Sequence, residues 1–160
     1  MKHCKTRYDS PLGPLILVAD HDYLLEIQME NENAETACDV SPPPIQRTVC
    51  WLNDYFAGNA PSTEALQIRP SGTPFQQEVW DHLRQIPYGQ TVTYGKIAAD
   101  IARHRGIRRM SAQAVGQAVG ANPIPIVIPC HRVVGSNGEL IGYSGGLARK
   151  QWLLTHETQK

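Results

Sequence analysis

In Asn122-Pro-Ile-Pro-Ile-Val-Ile-Pro-Cys130-His131-Arg132-Val133-Val134, proline alternates with β-branched residues until the run delivers one cysteine between Pro129 and His131. Proline fixes its own φ, lacks an N–H, and biases the residue before it toward extended geometry. The three prolines predict a stiff, extended segment rather than a helix. The apolar residues 124–128 predict that this segment is buried, so Cys130 is presented from a rigid, dry wall. Unpaired cysteines are most often small buried hydrophobes. The adjacent imidazole and guanidinium favour a second reading, because a thiol reacts as thiolate and such neighbours stabilise that form.

Upstream, three helices are expected. Thr73-Pro74-Phe-Gln76 has the form of a capping box with proline at the first helical position, and Phe75, Val79, Leu83 and Ile86 make one apolar stripe. Thr93 caps a second helix from Tyr94 to about Ile101. Ser111 caps a third, Ala112 to about Gly120, with Ala112, Val115 and Val119 facing inward. Two short helices joined by a basic turn suggest a helix-turn-helix, whose second helix enters a DNA groove. The third helix is rich in small residues. Gly116 inside it costs roughly 0.5–1 kcal/mol relative to alanine, so packing or close approach to a ligand must justify it. Downstream of Cys130, Ser136-Asn-Gly-Glu139 reads as a hairpin turn, Tyr143-Ser-Gly-Gly146 as a flexible loop, and Leu147 to about His156 as a last helix with Glu157 at its end.

The N-terminal half reads differently. Residues 6–30 alternate apolar runs with turn signals, Ser10-Pro-Leu-Gly13 and Asp20-His-Asp22, which predicts a small antiparallel meander. Residues 31–44 read as a loop. Ile45, Val49, Leu52 and Phe56 then fall at helical spacing before Gly58. The weakly patterned residues 60–71 place a domain boundary near residue 70, giving 1–70 and 71–160.

At 160 residues the chain is long enough for a real core, and no apolar run approaches membrane-spanning length. The first residues lack the apolar centre of a signal peptide, and the four cysteines show no paired spacing, so reduced thiols and a cytoplasmic protein are expected. His3, Cys4, Asp20 and His21 make only a weak metal cluster. The net charge of zero hides a split: residues 1–70 hold five Lys and Arg against ten Asp and Glu, residues 71–160 ten against five. A basic half suits a phosphate-facing module as well as a plain solvated face.

A Cys–His pair admits thiol hydrolases, acyl transferases, redox proteins and alkyl acceptors. Glu157 is the attractive group to orient the imidazole, although sequence cannot show that it reaches His131. Hydrolase and redox chemistry are disfavoured by the basic helix-turn-helix and by the lack of a nearby resolving cysteine. A cysteine beside such a motif points to chemistry on nucleic acid.

Pro129-Cys130-His131-Arg132-Val133 resembles the signature of the O6-alkylguanine-DNA alkyltransferases. The resemblance extends through Asn122-Pro-Ile-Pro-Ile-Val-Ile128 on one side, and through Gly142-Tyr-Ser-Gly-Gly146 and Lys150-Gln-Trp-Leu-Leu-Thr-His156-Glu157 on the other. It covers most of residues 72–157 and, more loosely, Ser10-Pro-Leu-Gly-Pro-Leu15 and the helix around residues 51–56. It implies an α/β N-terminal ribonuclease-H-like domain followed by a mainly α winged-helix (helix-turn-helix) DNA-binding domain. It implies DNA repair by direct damage reversal, with an O6-alkylated guanine flipped from double-stranded DNA and its alkyl group moved irreversibly onto Cys130; O4-alkylthymine is a second candidate substrate. Flipping is required because the reacting atom is out of reach inside the stack.

By the same resemblance, His131 removes the thiol proton through a water, Glu157 holds the imidazole, and Asn122 braces the loop. Tyr94 pushes the target phosphate and donates a proton to the leaving guanine. Val133, Tyr143 and Ser144 line the base pocket, and Ser111, Ala112, Gln113, Ala114, Gly116, Arg132 and Ser136 face DNA. One molecule acts once, with no cofactor, no metal and no membrane partner. A monomer is expected in solution, with cooperativity on DNA left open. A related class of lesion binders keeps the fold without the cysteine, and Cys130 argues against it.

Two departures stand out. Gln113 occupies the position where the family usually carries an arginine that fills the gap left by the flipped base; glutamine lacks its charge and planar guanidinium. Weaker DNA binding rather than lost activity is expected, so Gln113→Arg should bind tighter. The stretch Arg103-His-Arg-Gly-Ile-Arg-Arg109 is longer and more basic than usual, which suggests compensating phosphate contacts.

Overall fold

The computed structural model describes residues 3–29, 41–143 and 145–158, and the chain divides into two compact units, Met1–Ser71 and Gly72–Thr158. The first unit is a three-stranded antiparallel meander, β1 (Cys4–Ser10), β2 (Gly13–Ala19) and β3 (Leu24–Met29), with one helix, α1 (Pro43–Phe56). The two turn signals lie at the two reversals. Gly13 takes φ 103°, and Asp20 Oδ1 accepts from the Asp22 and Tyr23 N–H groups at 2.8 and 2.7 Å. Asp20 thus serves a turn, and no group of three potential metal ligands exists among the described residues.

Leu15 to Ala19 of the central strand are buried without alternation, as expected for a strand covered on both faces. The outer edge of β3 is not left open. Leu24 N–H donates to Gln67 and Arg69 N–H donates to the Leu24 carbonyl, both at 2.9 Å, so the unpatterned stretch before residue 70 serves as an edge cover. α1 buries Ile45, Trp51, Leu52 and Tyr55, while Val49 and Phe56 are half-buried. Cys4 is disulfide-bonded, which corrects the expectation of reduced thiols at that position. The expected loop at 31–44 lies, for residues 30–40, outside the described residues.

The second unit is helical: α2 (Pro74–Leu83), α3 (Tyr94–Arg105), α4 (Ala112–Gly120) and α5 (Leu147–Thr158), with two short strands, β4 (Val92–Thr93) and β5 (Val133–Val134). The capping box at Thr73 and Gln76 forms in full, and Thr93 and Ser111 each accept from the N–H three residues on. Trp80 is fully buried and its Nε1–H donates to the Ala118 carbonyl at 2.8 Å, joining α2 to α4.

Four expectations need correction. α3 runs one turn past Ile101 to Arg105, because Arg103, His104 and Arg105 suit the negative end of a helix and Gly106, at φ 68°, supplies the left-handed stop. Ala112 is exposed; α4 buries Val115, Ala118 and Val119. The proline-rich segment is buried but not extended throughout. Ile126 takes φ 74° and Ile128 N–H reaches back to the Ile124 carbonyl at 2.9 Å, so the chain folds over itself before Cys130. The turn at residues 136–139 closes through Gly135 N–H to the Glu139 carbonyl at 2.8 Å, yet β5 pairs in parallel with β4 rather than in a hairpin.

Candidate active site

Cys130 opens a single 3-10 turn, Cys130–Arg132, at the end of the folded-over proline segment. Asn122 pins that segment from inside: its Nδ2 donates to the Ile128 carbonyl at 2.8 Å and its Oδ1 accepts from Ile124 N–H at 3.0 Å. The prolines supply few donors of their own, so a buried amide at the start of the loop satisfies groups that no strand ladder could.

Behind the cysteine, His131 is fully buried and its Nε2 lies 2.6 Å from Glu157 Oε2. Glu157 is held by three further donors: Arg132 Nε at 2.7 Å, Arg132 Nη2 at 2.9 Å and Gly89 N–H at 3.2 Å. Burial raises the Glu157 carboxyl, but the bonds from His131 and Arg132 outweigh it and hold the group well below the usual carboxylate range. The carboxylate therefore accepts the Nε2 proton, which leaves the His131 Nδ1 lone pair free. That Nδ1 is buried and has no hydrogen-bond partner among the described residues. Burial lowers the proton affinity of His131 further than Glu157 raises it, and the Arg132 and Lys150 charges act in the same direction as burial. The imidazole is a neutral base at neutral pH.

Burial pushes the Cys130 thiol up to about 11, against a bond from Asn122, the Lys150 charge and the Cys130 and His131 amides. It is a thiol at rest and needs a base in order to react. Its outward side meets a cavity of about 770 Å³, lined among others by Tyr94, Gln113, Gly116, Gly120, Ser136 and Tyr143. Tyr94 is half-buried, and its hydroxyl donates to the Ile141 carbonyl at 3.0 Å. Burial raises the Tyr94 phenol, and Cys130, once ionised, raises it further. The Tyr143 hydroxyl is buried with no partner among the described residues.

The structure thus brings Cys130, His131, Glu157 and Asn122 into one cluster, with Tyr94 and Tyr143 on the cavity wall. Ser111, Ala112, Gln113 and Ser136 are exposed, and Ala114 and Gly116 half-buried. Two expected roles fail. Arg132 does not face DNA: it is buried, its Nε and Nη2 donate to Glu157, and Nη1 donates to the Ile86 carbonyl at 2.7 Å. Val133 does not line the cavity, because its side chain is fully buried where β5 pairs with Val92. Ser144 lies outside the described residues.

Sequence reasoning missed Lys150. It is fully buried, and its ammonium donates to the Ile141 and Gly142 carbonyls at 3.0 and 3.3 Å, fixing the cavity rim that Tyr94 also holds. The signal was present: Lys150, Leu153 and Glu157 are spaced three and four apart and share one helix face. A face that carries Glu157 inward carries Lys150 inward too.

Residues 74–159 match the 6-O-methylguanine DNA methyltransferase DNA binding domain, and residues 4–70 match the ribonuclease-like domain of the same family. The methylated-DNA–protein-cysteine methyltransferase of Salmonella typhimurium is 44% identical over 164 residues, covering 92% of this chain and 91% of its own. That of Mycobacterium leprae is 44% identical over 161 residues, covering 98% and 93%. The crystal structure of Mycobacterium tuberculosis OGT in complex with DNA superposes with a TM-score of 0.80 at 41% identity, over 96% of this chain and 92% of that one. Both units, the cysteine loop and the buried His–Glu pair are accounted for by one conclusion: the chain belongs to the 6-O-methylguanine DNA methyltransferase family.

Proposed function

We propose that this protein is a methylated-DNA–protein-cysteine methyltransferase that repairs DNA by moving the alkyl group of O6-alkylguanine onto Cys130. The observation that carries this reading is a buried thiol on the wall of a cavity large enough to admit a base, backed by a neutral imidazole whose Nε2 a carboxylate already holds. The thiol proton passes through a water to His131 Nδ1, and Glu157 steadies the imidazolium that forms. The sulfur attacks the alkyl carbon, a C–S bond forms, and the C–O6 bond breaks. The electron pair goes to the guanine, the Tyr94 hydroxyl supplies the proton that neutralises it, and the tyrosinate recovers a proton from solvent while the His131 imidazolium releases its own. The product is a thioether, so each molecule acts once and no cofactor takes part.

Attack at an alkyl carbon needs no oxyanion hole. It needs a guanine out of the stack. The exposed face of α4, from Ser111 through Gln113 to Gly116, is the element we place against the duplex, with Gln113 filling the gap. Tyr143 is the candidate donor to the flipped base. We read residues 1–70 as a ribonuclease-H-like α/β domain and residues 71–160 as a winged-helix domain with α3 and α4 as its helix-turn-helix, acting as a monomer in the cytoplasm. The three-stranded meander and the α3–turn–α4 pair support those labels. No helix among the described residues is long and apolar enough to cross a membrane.

Intact-mass spectrometry after incubation with a duplex containing O6-methylguanine tests the reading. Wild type should exchange one proton for one methyl and then stop, and Cys130→Ser should gain nothing. Repeated turnover, or a methyl on any other residue, overturns it. Lesion-selective binding without mass gain would make the protein a damage sensor instead.

A further inference from the structure

We propose that Arg108 and Arg109 form a phosphate clamp for the DNA strand that delivers the flipped nucleotide, an inference that rests on the function proposed above. The basic stretch between Lys96 and Arg109 is not uniformly available to a ligand. Lys96 and Arg103 both pair with Asp100, at 3.3 and 2.5 Å, and Arg105 pairs with Glu78. Arg108 and Arg109 are exposed and have no hydrogen-bond or ion-pair partner among the described residues. Three cations of α3 thus share two carboxylates, whereas those of the following turn have none among the described residues.

These two arginines line a second groove, of about 360 Å³, between α3 and the turn. Arg103, already paired with Asp100, also lines it, and the remaining walls, Ala98, Ala102 and Met110 among them, are apolar, so the guanidinium groups are what an anion would meet there. Gly95 and Ala112 line both this groove and the cavity that holds Cys130. A nucleotide whose base occupies the cavity therefore has its own backbone beside the groove. Guanidinium forks match phosphate oxygens in pairs. Charge placed there also offsets what Gln113 lacks, because phosphate contacts contribute affinity independently of the base read.

The test is the salt dependence of duplex binding. Arg108→Ala and Arg109→Ala should each make the slope of log affinity against log salt shallower by about 0.9, and the double variant by about 1.8. Between about 50 and 200 mM salt, wild-type affinity would then fall roughly tenfold more than that of the double variant. Arg108→Lys with Arg109→Lys should keep the slope, and Arg47→Ala, which removes a charge from α1, should leave it unchanged. At saturating duplex the single-turnover alkyl-transfer rate of the double variant should equal wild type, with only the half-saturating concentration raised.

An unchanged slope overturns the clamp, as does an equal change in Arg47→Ala or a maximal rate lost in step with affinity. Wild-type mass gain in the same series reports separately on the alkyl-transfer reading. Its absence alongside a shallower slope in the variants would sink the alkyl-transfer reading and leave only a DNA-phosphate contact at Arg108 and Arg109, overturning the clamp's role in delivering a nucleotide.

Discussion

Arg132 follows Cys130 and His131 directly, and the family resemblance places it facing DNA. Its place in the fold is instead inside, with two nitrogens on Glu157 and a third on the Ile86 carbonyl. It fixes Glu157 as a carboxylate and thereby fixes which imidazole nitrogen carries the proton. Removing one member of a buried, hydrogen-bonded ion pair typically costs about 3–5 kcal/mol, because the other charge is left buried. Arg132→Ala should lose stability on that scale in urea denaturation and slow alkyl transfer, while the salt slope of DNA binding stays as in wild type. Arg132→Lys should rescue little, since one ammonium cannot reproduce a forked contact to two oxygens. A shallower salt slope with unchanged stability would return Arg132 to the DNA surface. The residue types of the site were legible; their pairings were not. His131 and Glu157 are 26 residues apart, and only the path of α5 past the 3-10 turn decides that they meet.

At the scale of the element, α4 shows what a helix gives up to serve a site. Capping signals at Thr73, Thr93 and Ser111 located the starts of α2, α3 and α4, because caps are local chemistry. Where the prediction failed, in the proline segment, the deciding contacts were the Asn122 side-chain bonds and the Ile128–Ile124 bond, which no propensity rule supplies. Gly116 illustrates the difference. A Cβ there would meet only the Tyr94 ring, at 3.7 and 3.8 Å, which is ordinary contact. Internal packing therefore does not demand glycine, and helix propensity argues against it. Gly116 lines the cavity, so the space is kept for what binds there. Gly116→Ala should stabilise the fold by about 0.5–1 kcal/mol in denaturant unfolding. It should also slow transfer of bulky alkyl groups more than transfer of methyl. Stabilisation with no change in that ratio would mean that the glycine answers to DNA approach rather than to the cavity.

Across the whole molecule, the buried titratable groups of the site predict how stability depends on pH. Glu157 is held below its ordinary value of 4.5, so its contribution is present above that pH and is lost as the pH falls below it. His131 is also depressed, from 6.5; the unfolded chain takes up a proton that the folded chain refuses, and stability begins to fall as the pH drops through 6.5. Cys130 has the opposite sign. Its proton is held to about 11 when folded against 9.0 in the open chain, so the folded state is favoured below 9.0 and loses that advantage as the pH rises to about 11. By linkage that alkaline limb amounts to at most about 2–3 kcal/mol. Lys150, depressed by burial, works against it on the same limb. Stability should therefore peak between about pH 6.5 and 9, as read from urea midpoints across the range. Replacing Cys130 with serine, which does not ionise there, should remove the decline between pH 9 and 10, leaving the acid limb and the decline above pH 10 that the raised Tyr94 and Tyr143 phenols impose. The rate of alkyl transfer should fall on the acid side as well, where His131 takes up a proton and stops serving as a base. If Cys130→Ser and wild type decline together between pH 9 and 10, the buried thiol does not set the onset of the alkaline limb. The neutral-imidazole mechanism would then lose one of its two supports, since that mechanism needs a sulfur that keeps its proton until a base removes it.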